Sequence, residues 1–159
     1  MKKRINKLLA PVLALAVLAS SASVMAQQAP KPEAQIKWRQ SAFQVVAWNT
    51  GRIKTSIEGQ YNRDEVQRAA NAIAAIANSG LGGLFAPGSE TGKGWHDTTA
   101  KPEAFSNAKR FNELGAAFGK ESTELASVAG GGDVAAIKAQ FAKLQRTCKG
   151  CHDDFKAKD

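Results

Sequence analysis

Apolar positions recur at helical spacing in four stretches of this chain, and no stretch alternates as a strand would. In the first, about Glu33 to Glu58, Ile36, Phe43, Thr50 and Ile57 fall seven apart, with Gln40 and Ala47 on the same side and Gly59 as the stop. The second, about Arg63 to Ser79, carries Val66, Ala69, Ile73 and Ile76 on one face. Asn62 is its N-cap, Glu65 completes a capping-box-like pair, and Gly80 suits the position just past its end. The third starts at Pro102 and continues to about Val128 along a less regular face of Phe105, Asn112, Leu114, Phe118, Leu125 and Val128, ended by Gly130, Gly131 and Gly132. The fourth follows Asp133, a strong N-cap, and runs to about Lys156. Its stripe is Val134, Ile137, Phe141, Leu144, Cys148, Cys151 and Phe155.

Residues 80–101 hold no period and contain six glycines and one proline. A connection of this length is usually functional or disordered. Its Leu81, Leu84, Phe85 and Trp95 argue that parts of it pack down. The short links between the first two and the last two helices favour antiparallel neighbours. The expected fold is all-α, an antiparallel up-down-up-down four-helix bundle.

The first residues read as a secretory signal. Lys2, Lys3, Arg4 and Lys7 precede an apolar run from Leu8 to Ala19, and Val24-Met25-Ala26 is a small-residue cleavage site. The run is too short to span a membrane. Residues 1–26 are therefore expected to be removed. That leaves residues 27–159 as one domain, exported to a bacterial periplasm and free of the membrane. Four of the 22 basic residues lie in the signal and none of the 14 acids does, so the mature chain carries 18 against 14, a net +4. That balance is mild, and no basic stripe with interleaved aromatics marks a nucleic-acid protein.

Both cysteines of the protein stand in Cys148-Lys149-Gly150-Cys151-His152. This is the C-x-x-C-H spacing of covalent haem attachment. Residues three apart share a helix face, so two thiols reach two vinyl groups along one porphyrin edge, and the next histidine supplies the proximal iron ligand. Export agrees, because c-type haem is attached outside the bacterial cytoplasm. Three rivals stand beside it. A disulfide suits the compartment, but a redox-active one usually opens a helix in a βαβ setting. A zinc site needs about four ligands, and His96, the other histidine, lies in a distant loop and reads as solvated. The third rival is chance.

A single haem motif at the C-terminal end of a four-helix chain resembles the class II c-type cytochromes, most closely the cytochrome c-prime family, itself a standard example of the up-down-up-down bundle. "IKWRQSAF" (Ile36 to Phe43) is similar to that family's first-helix segment, "LFAPGSE" (Leu84 to Glu90) to its loop before the third helix, and "CKGCHDDFK" to its C-terminal motif. The resemblance implies one haem c on Cys148 and Cys151 with His152 as the iron ligand. It also implies Arg39 and Gln40 at the propionates or haem edge, Phe43 over the distal face, and Phe85 near the haem. Glu90 is a further implied contact, and Lys156 stands beside the proximal imidazole where the family usually has arginine. Phe43 departs from the leucine of many members, and Lys156 lacks arginine's planar fork. A homodimer is a further implication, with Val45, Ala69 and Ile76 as apolar and small residues that leave room for one.

The two methionines, Met1 and Met25, both lie in the signal, so a His/Met-ligated carrier is impossible on the mature chain. The expected iron has one protein ligand, His152, and an apolar sixth side, which accepts NO and CO and does little for dioxygen. The leading reading is a periplasmic haem protein that binds these gases and protects against NO; the alternative is a periplasmic electron carrier. Lys138, Lys143, Arg146, Lys149 and Lys156 make a solvated basic face that can also steer an acidic redox partner. A peroxidase would want a distal acid–base group. None is evident near Phe43, so the chain is read as non-enzymatic.

The intact mass of the exported protein should exceed that of residues 27–159 by one haem, and acid–acetone should leave the colour on the polypeptide. Extractable colour, or none, overturns the attachment.

Overall fold

The computed structural model describes residues 30–158; the signal assignment lies outside the described residues. Five α-helices are present: α1 (Pro32–Glu58), α2 (Arg63–Ala77), α3 (Glu103–Ser106), α4 (Ala108–Gly131) and α5 (Val134–Phe155), with a single 3-10 turn at Leu81–Leu84. The chain α1–α2–α4–α5 packs neighbour against neighbour, and α5 closes back onto α1 more sparsely. Among the described residues there are no strands, only isolated bridges. This is a four-helix bundle, with α3 a lone turn ahead of α4.

Local chemistry explains the helix limits. Asn62 Oδ1 accepts the Glu65 amide at 3.0 Å. The box is only half formed, because the Asn62 amide donates to Ser56 Oγ and the Glu65 carboxylate pairs with Arg52 at 3.1 Å. Asp133 Oδ1 accepts the amides of Ala135 and Ala136. The expected third helix is broken in two. Asn107 leaves helical geometry at φ −99°, ψ 63°, and its Oδ1 caps α4 through the Arg110 amide. Gly132, at φ +78°, supplies the left-handed exit from α4 that a side chain would strain.

The core is a single cluster of Val46, Ile53 and Ile57 from α1, Val66, Ala69, Ala70 and Ile73 from α2, Leu125 and Ala129 from α4, and Ile137, Phe141 and Leu144 from α5. On α1 the buried line runs through Ile36, Arg39, Val46, Asn49 and Ile53. Ile36 and Ile57 of the expected heptad are buried, but between them the line lies one position away, which leaves Ala47 outside and Thr50 half-buried. Two of the buried polar side chains find their partners on α1 itself and across on α4. Asn49 Nδ2 donates to the Val45 carbonyl and its Oδ1 accepts from Arg52; Gln140 Nε2 donates to Glu121.

Arg39 holds the long connection onto α1. The residue is 4% exposed. Nη1 donates to the Leu84 carbonyl at 2.8 Å and Ser89 Oγ at 3.1 Å; Nη2 donates to the Ser89 carbonyl and Thr98 Oγ1, both at 3.0 Å. The same group lies 4.7 Å over the Phe85 ring and 5.6 Å over Phe105. Burial lowers its pKa from the ordinary value, and the charge of Glu90 opposes that. Trp95, expected to pack down, remains 64% exposed; its Nε1 donates to Ser41 Oγ at 2.9 Å, and the Lys37 ammonium lies 5.1 Å over its ring.

Replacing Arg39 with methionine keeps an apolar stem but strips four acceptors of their donor. Stability should fall by about 3 kcal/mol in urea unfolding, several modest bonds being lost at once. The amides of residues 84–98 should exchange faster. Arg39→Lys should recover only part, since an ammonium lacks the fork. An unchanged midpoint would mean the loop holds itself.

Candidate haem-binding site

The core cluster stops partway along the bundle. It reaches no further toward the start of α1 than Val46, and no further along α5 than Leu144. Beyond that level Ile36 on α1 and Phe155 on α5 are buried, but several side chains of the inward stripes between them and the core are only partly covered. Phe43, between buried Arg39 and Val46 on α1, is 36% exposed. Phe111 and Leu114 on α4, and Cys148 and Cys151 on α5, are half-buried. Gly150 lies against α4, where an added Cβ would meet Leu114 Cδ2 at 3.4 Å.

Four rings join the elements at this end. Phe43 meets Phe85 edge-on at 6.4 Å between centroids, Phe85 meets Phe111 at 4.7 Å, and Phe111 meets Phe155 at 5.5 Å. Phe85 is the hub, because Phe105 also touches it at 5.8 Å. Gly82, Phe85, Ala104, Phe105, Ala108, Phe111 and Asn112 line a small cavity of about 170 Å³ beside it. Phe43 and Phe85, named separately from the resemblance, are thus in contact. Phe105 and Phe111 join them through α3 and α4, a contact that the irregular apolar spacing of that region did not reveal.

The two thiols stand one helical turn apart, reduced and unbonded. Burial, above all, raises both pKa values, so the thiols are neutral near pH 7. That is not the activated thiolate of a redox or nucleophilic cysteine. Among the described residues no group of three or more His, Cys, Asp or Glu side chains could hold a metal ion. His152 follows on the exposed side of the last turn. Partial burial lowers its pKa, the Lys156 charge lowers it further, and Asp153 opposes them. The neutral imidazole, the form that ligates iron, is favoured. Thiols a turn apart, a neutral imidazole next to them and incompletely covered apolar stripes opposite fit a haem. Cys148 and Cys151 would hold its vinyl edge, and His152 would hold the iron.

The other candidates fall around this centre. Arg39 and Gln40 turn their polar ends to the loop. Gln40 Oε1 accepts the Trp95 amide at 2.8 Å and its Nε2 donates to the His96 carbonyl at 2.9 Å. Gly94 makes that approach possible, for a Cβ there would lie 2.4 Å from Gln40 Oε1. His96 is exposed in the same turn, with Nδ1 2.8 Å from the Asp97 carbonyl. Glu90 is half-buried and interacts electrostatically with Arg39. Lys156, half-buried, pairs through its backbone with Ala100. Ser89 and Thr98, which hold Arg39, were not foreseen. They act from 50 and 59 residues away, and nothing local marks them.

Known proteins place the same features together. A cytochrome c′ from Rhodocyclus tenuis is 59% identical over 130 residues, covering 81% of this chain and 98% of that one. A solved cytochrome c′ with an unusual ligand-controlled dimer dissociation is 41% identical, with a TM-score of 0.79, covering 82% of this chain and 99% of that one. A ferrous variant of the Alcaligenes xylosoxidans cytochrome c prime, solved with bound NO, is 30% identical at a TM-score of 0.73, covering 83% and 100%. The family model described as Cytochrome C′ matches residues 34–156. With the haem-attachment motif, the bundle and these likenesses in agreement, the chain belongs to the cytochrome c′ family of haem proteins.

Proposed function

We propose that the protein is a periplasmic monohaem cytochrome in which His152 alone would hold the iron and the apolar space by Phe43 would admit NO and CO, so that the protein would protect against NO. Haem, when bound, supplies an iron that accepts diatomic ligands and exchanges one electron. The chain decides which ligands are welcome. The observation that carries the reading is the commitment of the nearest polar side chains. All four terminal N–H groups of Arg39 are taken by Leu84, Ser89 and Thr98, and the amide of Gln40 by Trp95 and His96. What remains beside Phe43 is aromatic. Such a pocket offers no donor to stabilise bound dioxygen and no acid–base group for peroxide chemistry, while uncharged NO and CO need neither. The NO complex of the Alcaligenes xylosoxidans protein supports the same choice.

A second copy of the chain is the partner that α1 favours. Trp38, Val45 and Trp48 recur along its outer side at 50%, 42% and 63% exposure. Aromatic residues in such a row are characteristic of interfaces. The guanidinium of Arg52 stacks on Trp48 at 4.7 Å, which keeps that ring presented. Of the residues expected to leave room for a dimer, only Val45 is on this face. Ala69 is fully buried in the core and Ile76 packs against it. The ligand-controlled dimer of the solved relative is consistent with the reading.

Two measurements test these proposals. Phe43→Ala should speed CO association by the ferrous protein in stopped flow. Because the ring is only partly covered, the variant should lose less than the ~3–5 kcal/mol of a fully buried phenylalanine. An unchanged rate would make Phe43 ordinary packing. Trp48→Glu should convert a dimer to monomers in sedimentation velocity without changing the haem spectrum; a persistent dimer places the interface elsewhere.

A further inference from the structure

We propose that Lys101 is a positioning residue for the axial ligand: it caps the last turn of α5 from outside the helix and thereby fixes the orientation of His152. A helix leaves its final four carbonyls without intrahelical partners. For α5 these belong to His152, Asp153, Asp154 and Phe155. The first is taken by the Lys156 amide at 3.0 Å. Lys101 takes the other three. Its Nζ donates to the Asp153 carbonyl at 2.8 Å and the Asp154 carbonyl at 3.3 Å, and its backbone N–H donates to the Phe155 carbonyl at 2.9 Å. An ammonium at this end also meets the negative pole of the helix.

Two further ties make this a clasp. The Ala157 amide donates to the Thr99 carbonyl at 2.8 Å, and Ala100 pairs with Lys156 in an antiparallel bridge. Arg110 reaches from α4 to the Asp154 carboxylate at 2.9 Å. The N-terminus of α5, by contrast, is capped by its own Asp133. Only the end carrying Cys151 and His152 is held by another segment.

That segment is fixed at its other side. Thr98, three residues before Lys101, accepts from Arg39 of α1, and Thr98 Oγ1 also accepts the Ala100 amide at 3.3 Å. The helix that carries Phe43 and the turn that carries His152 are therefore joined through four consecutive residues. The consequence is chemical, because a histidine in a fraying last turn presents its imidazole over a range of directions, whereas a ligand held by outer contacts presents one. Thioether bonds to Cys148 and Cys151 would restrain the porphyrin edge but not the ring of the next residue.

The test uses the haem-loaded protein with Lys101→Met, Lys101→Arg, and Lys138→Met as a control that removes a cation from the opposite end of the same helix. Two readouts are taken. The spectroscopic one, the Fe–His stretching band of the ferrous protein in resonance Raman, rests on the reading of His152 as the ligand. The other, amide exchange at Lys156 and Ala157, does not. Lys101→Met should shift and broaden the band and speed exchange at those amides on the order of tenfold, as expected for loss of charge-assisted bonds. Lys101→Arg should restore both, and Lys138→Met should leave both as in the wild type. Faster exchange with an unmoved band leaves the clasp but overturns its hold on the ligand. Unchanged exchange overturns the clasp itself, and an absent Fe–His band in the wild type overturns the ligand reading instead. If Lys101→Met does not fold, the wild type still decides: its Lys156 and Ala157 amides should be protected like those of mid-α5, and exchange at the rate of free peptide overturns the proposal.

Discussion

On α5 one line of residues has two duties. Ile137, Phe141 and Leu144 close the core, and the same line then continues into Cys148, Cys151 and Phe155. A helix cannot offer a different face partway along without a kink, so the bundle changes character along its length instead. At one end aliphatic side chains meet and exclude water. At the other, aromatic rings from three helices and a loop meet one another, and the thiols on the α5 line are only half covered. Everything particular to this molecule follows from accommodating both ends on four helices.

The cost of the open end falls on residues 80–107. This stretch must supply covering that helices of fixed length do not, and it is too rich in glycine to hold itself in place. Arg39 solves the problem by bringing a charge into the interior and giving every terminal N–H an acceptor from that stretch. Burying a cation is unfavourable unless its bonds are complete. Here they are, and the aromatic faces of Phe85 and Phe105 add to them. In the proposed reading, the arrangement would couple ligand chemistry to loop order. A guanidinium occupied by loop carbonyls and hydroxyls is withheld from the space beside Phe43.

Much of this was readable beforehand. The four long helices were visible because Val66, Ala69 and Ile73, or Ile137, Phe141 and Leu144, repeat at the helical period with capping residues at their starts. The attachment motif was visible because its spacing is itself the chemistry. What escaped was the role of polar residues whose partners are distant. Arg39 looks like a solvent-facing position in a hydrophobic pattern, and between Ile36 and Ile57 the true buried line therefore runs one step from the expected heptad. The break at Asn107 escaped for a related reason: Pro102 and Asn107 are both plausible helix starts, and the chain uses both. Trp95 was misjudged because hydrophobicity alone does not say whether a neighbour exists to cover it.

The distribution of indoles has an optical consequence. The protein has three tryptophans, and all of them, Trp38, Trp48 and Trp95, sit on or against the outer side of α1, half or more exposed. None reports on the aliphatic interior. Intrinsic fluorescence of this protein is therefore a gauge of what touches α1. Loss of core packing would leave the emission maximum nearly where it began, while contact along that helix would move it to the blue.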